Sequence, residues 1–409
     1  MKVLCVFGTR PEAIKLAPVI RELQRQARSH DVQVRVCVTG QHRQMLDQVL
    51  KLFNIVPDAD LDVMQGDQTP TWVAAAVLSG LEPILLAERP DWVLVQGDTT
   101  TVAAAALAAF YARVRVGHVE AGLRTWDKWQ PFPEEMNRRV ASVLADLHFA
   151  PTTRSRDNLR REGVPDEQIV VAGNTVIDAL HAILQVPLDP VAESLLRRVG
   201  LPIDGPGEVS GPSAGDVGGR RLVLVTAHRR ENLGAPLEQI CLALQDLAER
   251  YDGRVQFVFP VHLNPNVQVT VHRLLGGTRY VMLTPPLDYL PLAHIMKRAH
   301  IVLTDSGGLQ EEAPSLGKPV LVLRGVTERP EGVEAGGVRL VGTDRNFIVA
   351  ETARLLDDSA HYRAMATAIN PYGDGFASRR IVDSLFRWEG RAGVDWTVGA
   401  AKDDPAVTP

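Results

Sequence analysis

The feature that most restricts the fold is a series of short apolar segments, rich in β-branched residues, that alternate with helix-like segments along the chain. Examples are KVLCVFG (2–8), DWVLVQGD (91–98), RLVLVTAHR (221–229) and HIVLTDS (300–306), with helix-like segments such as 11–28 and 99–112 between such runs. Strands that are apolar throughout are typical of parallel sheets covered on both faces by crossover helices. The sequence therefore predicts an α/β protein with doubly wound, Rossmann-like parallel sheets.

The length of 409 residues predicts more than one domain, because a single hydrophobic core rarely extends that far. We place an N-terminal Rossmann-like domain at 1–185 and a C-terminal one at 186–375. A segment at about 200–220 is rich in Gly, Pro and Ser, so we expect a mobile insert there. The polar stretch 395–409 is expected to be a disordered tail.

Composition excludes several classes of protein. The net charge of −5 gives no electrostatic footprint for nucleic acid. Cys5, Cys37 and Cys241 lie in apolar segments, which favours buried thiols over disulfides or a zinc site. The first residues lack the pattern of a signal peptide, and by inspection no apolar run has membrane-spanning length. We therefore expect a cytoplasmic protein that does not associate with membranes.

Polar or charged side chains follow almost every predicted strand. In the first half they are residues 8–10, 40–42, 97–99 and 118–120, and in the second half they are 226–229, 262–264 and 305–308. Ligands of doubly wound parallel sheets bind at the carboxyl ends of the strands. Two such sheets facing each other across a cleft would place both sets of side chains around one ligand.

Two of these strand ends have features of an anion site. In TDSGGLQEE (304–312), Gly307 and Gly308 would let backbone N–H groups approach a phosphate at a helix N-terminus. The alternative is an ordinary turn in which Ser306 caps the helix. In FGTRPE (7–12), Arg10 could make a bidentate contact to a diphosphate, or could be a surface arginine. The sequence contains neither a Walker A loop nor a GxGxxG loop, which argues against ATP hydrolysis and NAD chemistry.

Three carboxylates and one histidine are the candidates for proton transfer: Asp98, Glu120, Glu134 and His228. Each has a structural alternative. Helix capping would explain Asp98 and Glu134, an ion pair with Arg124 would explain Glu120, and a structural hydrogen bond would explain His228. Together, next to a phosphate site, they suit proton transfer beside a charged leaving group.

Several motifs resemble those of the non-hydrolysing UDP-N-acetylglucosamine 2-epimerases, and the resemblance runs from residue 1 to about 385. They include GTRPEAIKLAPVI (8–20), GHVEAGLRT (117–125), PFPEEMNR (131–138), AGNTVIDAL (172–180), TAHRRENLG (226–234) and TERPEGVEAG (327–336). The resemblance implies the glycosyltransferase-B fold, with the site between the domains and UDP bound by the second. It also implies a last helix at about 376–390 that packs back on the first domain, and commonly a homodimer.

The resemblance also implies a reaction. C2 of UDP-N-acetylglucosamine (UDP-GlcNAc) is inverted to give UDP-N-acetylmannosamine (UDP-ManNAc), by elimination of UDP to 2-acetamidoglucal and re-addition. No metal or redox cofactor is expected, and the product would supply cell-surface polysaccharide. By motif, Asp98, Glu120 and Glu134 are the acid/base carboxylates, and His228 is a further catalytic residue. The implied substrate contacts are Arg10, Lys15, Leu292, Ser306, Gly307, Gly308, Glu312 and Arg329.

Some bacterial members of that family bind a second, allosteric UDP-GlcNAc. The matching positions here are Gln41, Gln44, Gln68, Glu135, Arg229 and His262. Asp67, however, stands where those members have an arginine, and a carboxylate facing a diphosphate would repel it. A second departure is Leu292, where the family often has an aromatic residue near the uracil. The sequence therefore predicts an epimerase without allosteric activation.

Three alternatives stay open at this point. A hydrolysing epimerase would release ManNAc and UDP, although the intact motifs 131–138 and 327–336 favour the non-hydrolysing type. A UDP-sugar-binding protein would bind the same ligand without turnover. A glycosyltransferase of the same fold is weaker, because no acceptor pocket can be recognised in the sequence.

Overall fold

The structure is a computed structural model, which describes residues 1–41, 43–198, 216–217 and 220–391. The predicted mobile insert at about 200–220 lies mostly outside these ranges, and the predicted tail at 395–409 lies outside them entirely.

Within the described ranges, the first half of the chain forms a parallel sheet of seven strands in the order β3-β2-β1-β4-β5-β6-β7. The strands are β1 (Lys2–Phe7), β2 (Gln33–Val38), β3 (Ala59–Asp60), β4 (Trp92–Gln96), β5 (Arg115–Val119), β6 (Leu147–Ala150) and β7 (Ile169–Val171). The helices of this half are α1 (Arg10–Gln26), α2 (Arg43–Phe53), α3 (Pro70–Glu88), α4 (Thr100–Tyr111), α5 (Glu134–Leu144), α6 (Thr153–Arg161) and α7 (Thr175–Ile183).

The second half repeats this plan with six parallel strands in the order β11-β10-β9-β12-β13-β14, plus a short β8 antiparallel to β9, counted over the described ranges. The strands are β8 (Asp216–Val217), β9 (Arg220–Thr226), β10 (Val255–Pro260), β11 (Val281–Thr284), β12 (Ile301–Thr304), β13 (Val320–Val322) and β14 (Val338–Leu340). The helices are α8 (Pro190–Arg198), α9 (Ala235–Tyr251), α10 (Pro265–Leu275), α11 (Tyr289–Arg298), α12 (Gly307–Ser315), α13 (Pro330–Glu334), α14 (Arg345–Asp357), α15 (Ser359–Ala366) and α16 (Ala377–Arg391).

Helices cover both faces of each sheet, and the predicted α/β architecture with doubly wound parallel sheets is confirmed. The central strands are buried on both sides, which is why they are apolar throughout; in β1, for example, Cys5 on one face and Val6 on the other are both inaccessible to solvent. Cys5, Cys37 and Cys241 are buried free thiols, and burial raises the pKa of each to about 12. These thiols are core residues and not reactive groups.

The strand order of each sheet reverses at one point, between β1 and β4 in the first sheet and between β9 and β12 in the second. A crevice forms at such a switch point, because the connections on either side leave in opposite directions. The residues that follow these four strands, 8–10, 97–99, 226–229 and 305–308, are part of the sets predicted to bind a ligand. The topology therefore places part of each predicted set at a crevice.

The last helix, α16, returns from the second half and packs against α1 and α7 of the first. The indole N–H of Trp92 donates a hydrogen bond of 2.7 Å to Glu389, and the backbone N–H of Ser378 donates one of 2.8 Å to Asp178. These contacts join the end of the described chain to the first sheet. The domain limits at 185/186 and 375/376 stay predictions.

Helix α3 departs from the sequence expectation. Its length and mean hydropathy of 1.4 meet the criteria for a membrane-spanning helix, and in the described ranges it is alone in doing so. The expectation that no apolar run has this length was therefore wrong, because Glu82 and Pro83 interrupt the run without making it polar. One side of α3 is buried through a stripe at helical spacing, formed by Val73, Val77, Leu81 and Leu85. Length and composition alone do not distinguish such a one-sided core helix from a membrane span.

Candidate functional site between the two sheets

Glu120 follows β5 and has a left-handed backbone with φ of 65°. This conformation is uncommon for a residue with a large side chain, and such residues concentrate at functional sites. The side chain is buried and makes a salt bridge with Lys15. It also accepts hydrogen bonds from the amides of Gln96 and Asn174, the latter at 3.0 Å. The strand end thus holds a buried carboxylate among side-chain donors.

The electrostatic surroundings keep Glu120 charged. Burial alone would raise the pKa of its carboxyl group, but the charge and hydrogen bond of Lys15, the charge of Arg329 and the Asn174 amide hold it below its usual value. The predicted alternative, an ion pair with Arg124, is wrong. Arg124 donates instead to Ser142 at 2.8 Å and to Glu162 at 2.6 Å, on the far side of α5 and α6.

Asp98 follows β4 and Gly97, whose φ is 83°. Arg138 of α5 donates to its carboxylate at 2.6 Å. Burial raises the pKa of Asp98, Arg138 offsets part of this effect, and the negative charge of Glu120 raises it further, so that the pKa stays above the usual value. The capping alternative for Asp98 is wrong, because Thr99 is the N-cap of α4 and accepts from the backbone of Val102.

The turn that carries Asp98 is stabilised by a hydrogen bond with a buried histidine. Nε2 of His118 lies 2.7 Å from the carbonyl oxygen of Gly97. Burial lowers the pKa of His118 to about 4, so the ring is neutral and its Nε2–H donates to that carbonyl. His118 therefore has a structural role beneath the site.

Glu134 is the first residue of α5 and is half-buried. Its place in the first turn agrees with the alternative of a favourable helix-dipole interaction. Asn137 and Arg138, three and four residues further along, bond to the carbonyl and the carboxylate of Asp98. Residues at this spacing share a helical face, so Glu134 lies on the side of α5 that is turned toward Asp98.

In the second sheet, the carboxylate that follows β12 has a different environment. Asp305 is inaccessible to solvent and accepts hydrogen bonds from the backbone N–H groups of His228 at 2.7 Å and Arg229 at 2.8 Å. Nδ1 of His228 lies 3.1 Å from the same carboxylate, so Nε2 points away from it. The ring of His228 stacks on His262 with a centroid separation of 5.6 Å.

The two glycines at the start of α12 have different surroundings. A Cβ added to Gly307 would lie 2.7 Å from Nη1 of Arg329, so the arginine leaves room only for glycine. A Cβ added to Gly308 would meet no described atom within 4 Å, so its backbone borders open space. Ser306 occupies the N-cap position, but within the described ranges its side chain accepts no capping hydrogen bond. The alternative in which Ser306 caps the helix through its side chain is therefore wrong, and the anion site at this helix start stays a prediction.

Glu312 lies one helical turn further along α12 and is buried. Burial and the neighbouring charge of Glu311 raise its pKa to about 8, and Lys15, Tyr289 and Arg10 offset part of that increase. The influence of Lys15 and Arg10 shows that α1 of the first half lies close to α12 of the second. Arg10 itself is half-buried at the beginning of α1.

The two halves meet directly at Glu311. Its carboxylate accepts a hydrogen bond of 2.6 Å from Nε of Arg329, in the same half of the chain, and one of 3.0 Å from the amide of Asn174, in the first half. Burial lowers the pKa of Lys15, but the charges of Glu120 and Glu311 raise it more. The centre of the cleft is therefore a buried cluster in which cations and carboxylates alternate, with groups for proton transfer and for holding an anion.

The comparisons with known proteins agree with this geometry. The family model for UDP-N-acetylglucosamine 2-epimerase matches residues 24–386. The chain is 54% identical over 385 residues to UDP-N-acetylglucosamine 2-epimerase of Escherichia coli strain K12, covering 94% of this chain and 98% of the relative. The corresponding enzyme of Salmonella typhimurium is 53% identical over 385 residues, with the same coverage of 94% and 98%. This chain belongs to the UDP-N-acetylglucosamine 2-epimerase family.

A solved structure supports the same assignment. UDP-GlcNAc 2-epimerase from Neisseria meningitidis bound to UDP-GlcNAc superposes with a TM-score of 0.82 at 47% sequence identity, covering 95% of this chain and 100% of that one. The glycosyltransferase-B type of fold is thereby shown, with two parallel-sheet domains on either side of a cleft.

Among the epimerase-family residues predicted from motifs, Leu292, Gln41 and Gln68 make their described contacts away from the central cluster, whereas Arg229 and His262 contact Asp305 and His228. Leu292 is half-buried in α11, three residues after Tyr289, and packs on the core. The amide of Gln68 donates to the carbonyl oxygen of Gln41 at 3.0 Å, so these two form a pair at the edge of the first sheet. The side chain of Gln44 lies outside the described part of the chain.

Glu135 is more deeply involved in the fold than its predicted role suggests. It is inaccessible to solvent, and its carboxylate accepts from the backbone N–H groups of Thr125 and Trp126, each at 3.1 Å. It thereby fixes the loop before α5. The three glutamates of 118–138 thus have different surroundings: Glu135 orders the loop, whereas Glu120 points into the cleft and Glu134 lies on the helical face toward it.

Sequence reasoning missed several residues of this site, namely Gln96, Arg138, Asn174, Tyr289 and Glu311. Most of them lie within the motifs that carry the family resemblance or directly beside a predicted residue. The signal that could have identified them was their position at strand ends or helix starts next to a predicted residue.

Proposed function

We propose that this chain catalyses the reversible epimerisation of UDP-GlcNAc and UDP-ManNAc at C2 by the non-hydrolysing route. The observation that carries this proposal is a pair of carboxylates at the ends of the adjacent strands β4 and β5, Asp98 and Glu120, whose pKa values are displaced in opposite directions. Such a pair provides one acid and one base in the same site.

The chemistry requires both. The hydrogen on C2 of the sugar is not acidic, because no carbonyl or imine adjoins that carbon. Removal of this proton therefore accompanies cleavage of the bond between C1 and the diphosphate oxygen, which gives 2-acetamidoglucal and UDP. When UDP adds back to C1, a proton is delivered to C2 from the opposite face. We assign the first proton transfer to charged Glu120 and the second to Asp98, which the site keeps protonated more readily. The two exchange roles in the reverse direction.

The remaining predicted residues have consistent roles around the leaving group. The open helix start at Ser306 and Gly308 holds the diphosphate, Arg10 approaches it from the first half, and His228 lies at the neighbouring strand end. Glu312 receives the ribose, and Lys15 and Arg329 stabilise the charge that develops on UDP. Glu134 supplements the acid/base pair from the adjacent helical face. This route requires neither a metal nor a redox cofactor.

The direct experiment is incubation with UDP-GlcNAc in D₂O, followed by NMR of the sugar C2 position. We expect UDP-ManNAc with deuterium at C2, because Glu120 keeps the proton it removes and Asp98 delivers a deuteron that it has acquired from the solvent. Retention of protium at C2 in the product would contradict the elimination route. Free ManNAc as the main product would assign the chain to the hydrolysing type, and tight binding without turnover to a UDP-sugar-binding protein.

We further propose that the chain forms a homodimer through one face of the first sheet. Helices α3, α4 and α5 pack side by side there. Their outer surfaces expose large apolar side chains, namely Trp72, Leu86, Phe110, Tyr111, Met136, Val140 and Val143. Exposed apolar patches of this kind mark protein interfaces. The same face explains why α3 is so apolar although only its inner stripe is buried.

Sedimentation velocity tests this proposal with two matched variants. Val143 and Ile369 are both 85% exposed, but Ile369 lies outside the three-helix face. We expect Val143→Glu to give monomers and Ile369→Glu to leave the dimer intact. A monomeric wild type would contradict the proposal. We also propose that the protein is cytoplasmic and supplies precursors for polysaccharide. Flotation of the wild type with lipid vesicles would contradict the cytoplasmic location and would assign the apolar face to a membrane.

A further inference from the structure

Asn174 is held in one orientation by its own helix. Its Oδ1 accepts from the backbone N–H of Val176 at 3.1 Å, as the N-cap of α7. The amide nitrogen must then point the other way, and it lies 3.0 Å from Oε1 of Glu120 and 3.0 Å from Oε2 of Glu311. Because an amide nitrogen carries two hydrogens, each carboxylate can take one. Asn174 thus connects a carboxylate of the first half with one of the second.

Glu311 is held equally firmly from the second half. Arg329 donates to its other carboxylate oxygen at 2.6 Å, and Asn370 donates to its backbone carbonyl at 2.9 Å. Glu311 also lies on α12, little more than one turn after the helix start at Gly307 and Gly308. A helix transmits displacement over one turn rigidly, so a ligand that moves this start also moves Glu311.

We propose that Asn174 and Glu311 are positioning residues that form a link between the two halves and place Glu120 for proton transfer when a nucleoside diphosphate binds at the start of α12. The inference rests on the function proposed above and adds to it the means by which leaving-group binding prepares the base. Geometry within a fraction of an ångström matters here, because small misplacement of a catalytic group lowers rates strongly.

The charges around Glu120 allow a second readout. The groups that face Glu120 from the first half are Lys15 of α1, Asp98 after β4 and His118 of β5. From the second half, Arg329 faces Glu120 itself, and Glu311 faces its partner Lys15. Glu311 shares Lys15 and Arg329 with Glu120. Removing the charge of Glu311 leaves both cations to Glu120 alone, which lowers the pKa of Glu120. The acidic limb of the pH profile of kcat then moves to lower pH.

Two conservative variants isolate the link. Glu311→Gln keeps the size of the side chain, but its amide would meet the amide of Asn174 donor to donor. Asn174→Ser retains a good N-cap for α7 and removes the amide that reaches both carboxylates. Glu331→Gln is the matched control, because Glu331 accepts a 3.0 Å hydrogen bond from Thr152 across the same junction without contacting Glu120.

We expect Glu311→Gln and Asn174→Ser each to lower kcat and the rate of C2 deuterium exchange about 10–100-fold, the cost of misplacing a catalytic group. The Kd for UDP, measured by calorimetry, should change far less, and Glu331→Gln should resemble wild type. The double variant should be no slower than the slower single variant, because both remove one link. Glu311→Gln should also show the shift of its acidic limb.

The link is overturned if either variant retains wild-type kcat, or if UDP affinity falls in step with kcat, which would make these residues ordinary binding groups. An unshifted acidic limb in Glu311→Gln would also contradict it. Failure of the function proposed above is distinguishable, because in that case the wild type itself would not exchange the C2 proton.

Discussion

Each of the two sheets has a buried carboxylate at the end of a central strand, and the surroundings of the two differ. Glu120 follows β5 in the first sheet, and Asp305 follows β12 in the second; both are buried. Glu120 bonds to side chains, an ammonium and two amides, whereas Asp305 bonds mainly to backbone N–H groups and to Asn232 at 3.0 Å. Backbone partners fix a turn, whereas side-chain partners can move with a ligand.

The difference extends to the whole carboxyl-terminal edge of each sheet, called the first edge for the first sheet and the second edge for the second sheet. The first edge combines carboxylates with cations, which suits proton transfer. The second presents a helix start, histidines and open backbone, which suits a diphosphate. One architecture used twice thus supports two tasks, because function depends on the groups at the strand ends and not on the fold. A strand-end carboxylate is a catalytic candidate only where its partners leave it free to exchange a proton.

The largest expected effect tests that distinction directly. Asp98→Asn and Glu120→Gln should each lower kcat by about 10²–10⁴-fold, the usual contribution of a general acid or base, with little change in UDP affinity. Asp305→Asn should mainly lower the free energy of unfolding, because its new N–H₂ group would face backbone donors. Steady-state kinetics, C2 exchange and urea unfolding measure these effects.

Asp91→Asn is the control for the catalytic variants. Asp91 accepts from the backbone of Lys2 at 2.6 Å at the opposite, amino-terminal edge of the same sheet. Its replacement should leave kcat near that of wild type. Near wild-type kcat in Asp98→Asn and Glu120→Gln would return these two carboxylates to structural roles and remove the contrast between the edges.

A smaller effect concerns Glu312, the acid of the second edge. Its folded-state pKa is about 8, above the usual 4.5 of the unfolded chain, so between these values the folded state holds a proton that the unfolded state has lost. The stabilisation of the folded state by the neutral Glu312 is fully present below about pH 4.5, and it is lost as the pH rises through 8. Glu312→Gln mimics the protonated form, so relative to wild type it should gain up to a few kcal/mol between pH 5 and 8.

Urea unfolding at several pH values measures this gain. Glu334→Gln is a suitable control, because Glu334 is exposed and pairs only peripherally with Arg154. Parallel stability curves for wild type and Glu312→Gln would show that Glu312 is ionised in the folded state. The second edge would then contain a permanent carboxylate charge, and the contrast with the first edge would weaken.

The parts of this structure that were predictable from the sequence depend on local pattern. Continuous apolar strands specified parallel sheets, and helices expected at 11–28 and 99–112 appear as Arg10–Gln26 and Thr100–Tyr111. Pro11 in the first turn marks the beginning of α1, which agrees with the preference of proline for the first helical turn. The strand ends that were predicted to carry the ligand site lie at or beside the switch points, because all parallel strands of a sheet end at the same edge.

The partners of each charge were not predictable in this way. Arg124 was expected to pair with Glu120 because it is close in sequence, but Lys15, 105 residues away, does so. The left-handed backbone of Glu120 turns its side chain away from the following loop and toward α1. Likewise, Asn174 and Glu311 meet only because the second half closes on the first, an event that no local pattern encodes.

The next prediction tests whether the open helix start of the second edge holds the diphosphate. Gly308→Ala should raise the Kd for UDP about tenfold, equivalent to about 1.4 kcal/mol, because the new methyl group would occupy the space of the ligand. The protein itself should be undisturbed, since the added Cβ meets no described atom within 4 Å. Gly277→Ala has equally open surroundings away from the site and should bind UDP as wild type does. Equal affinities in calorimetry would place the diphosphate elsewhere.

The smallest effect concerns whether the first edge also binds a nucleotide sugar. Asp67 is exposed, has a φ of 52°, and immediately precedes Gln68, which is paired with Gln41. Its charge would repel a second diphosphate, so we expect the reaction from UDP-ManNAc alone to proceed without UDP-GlcNAc and the rate curve for UDP-GlcNAc to be hyperbolic. Asp67→Arg should introduce or strengthen activation by UDP-GlcNAc, whereas Asp67→Asn, which tolerates the same backbone, should do so less. Initial rates over a range of UDP-GlcNAc concentrations measure both.

A strict requirement for UDP-GlcNAc in the wild type, with a sigmoidal curve, would mean that a second site works despite Asp67. The first edge would then combine nucleotide binding with proton transfer, and the division of tasks between the two edges would be incomplete.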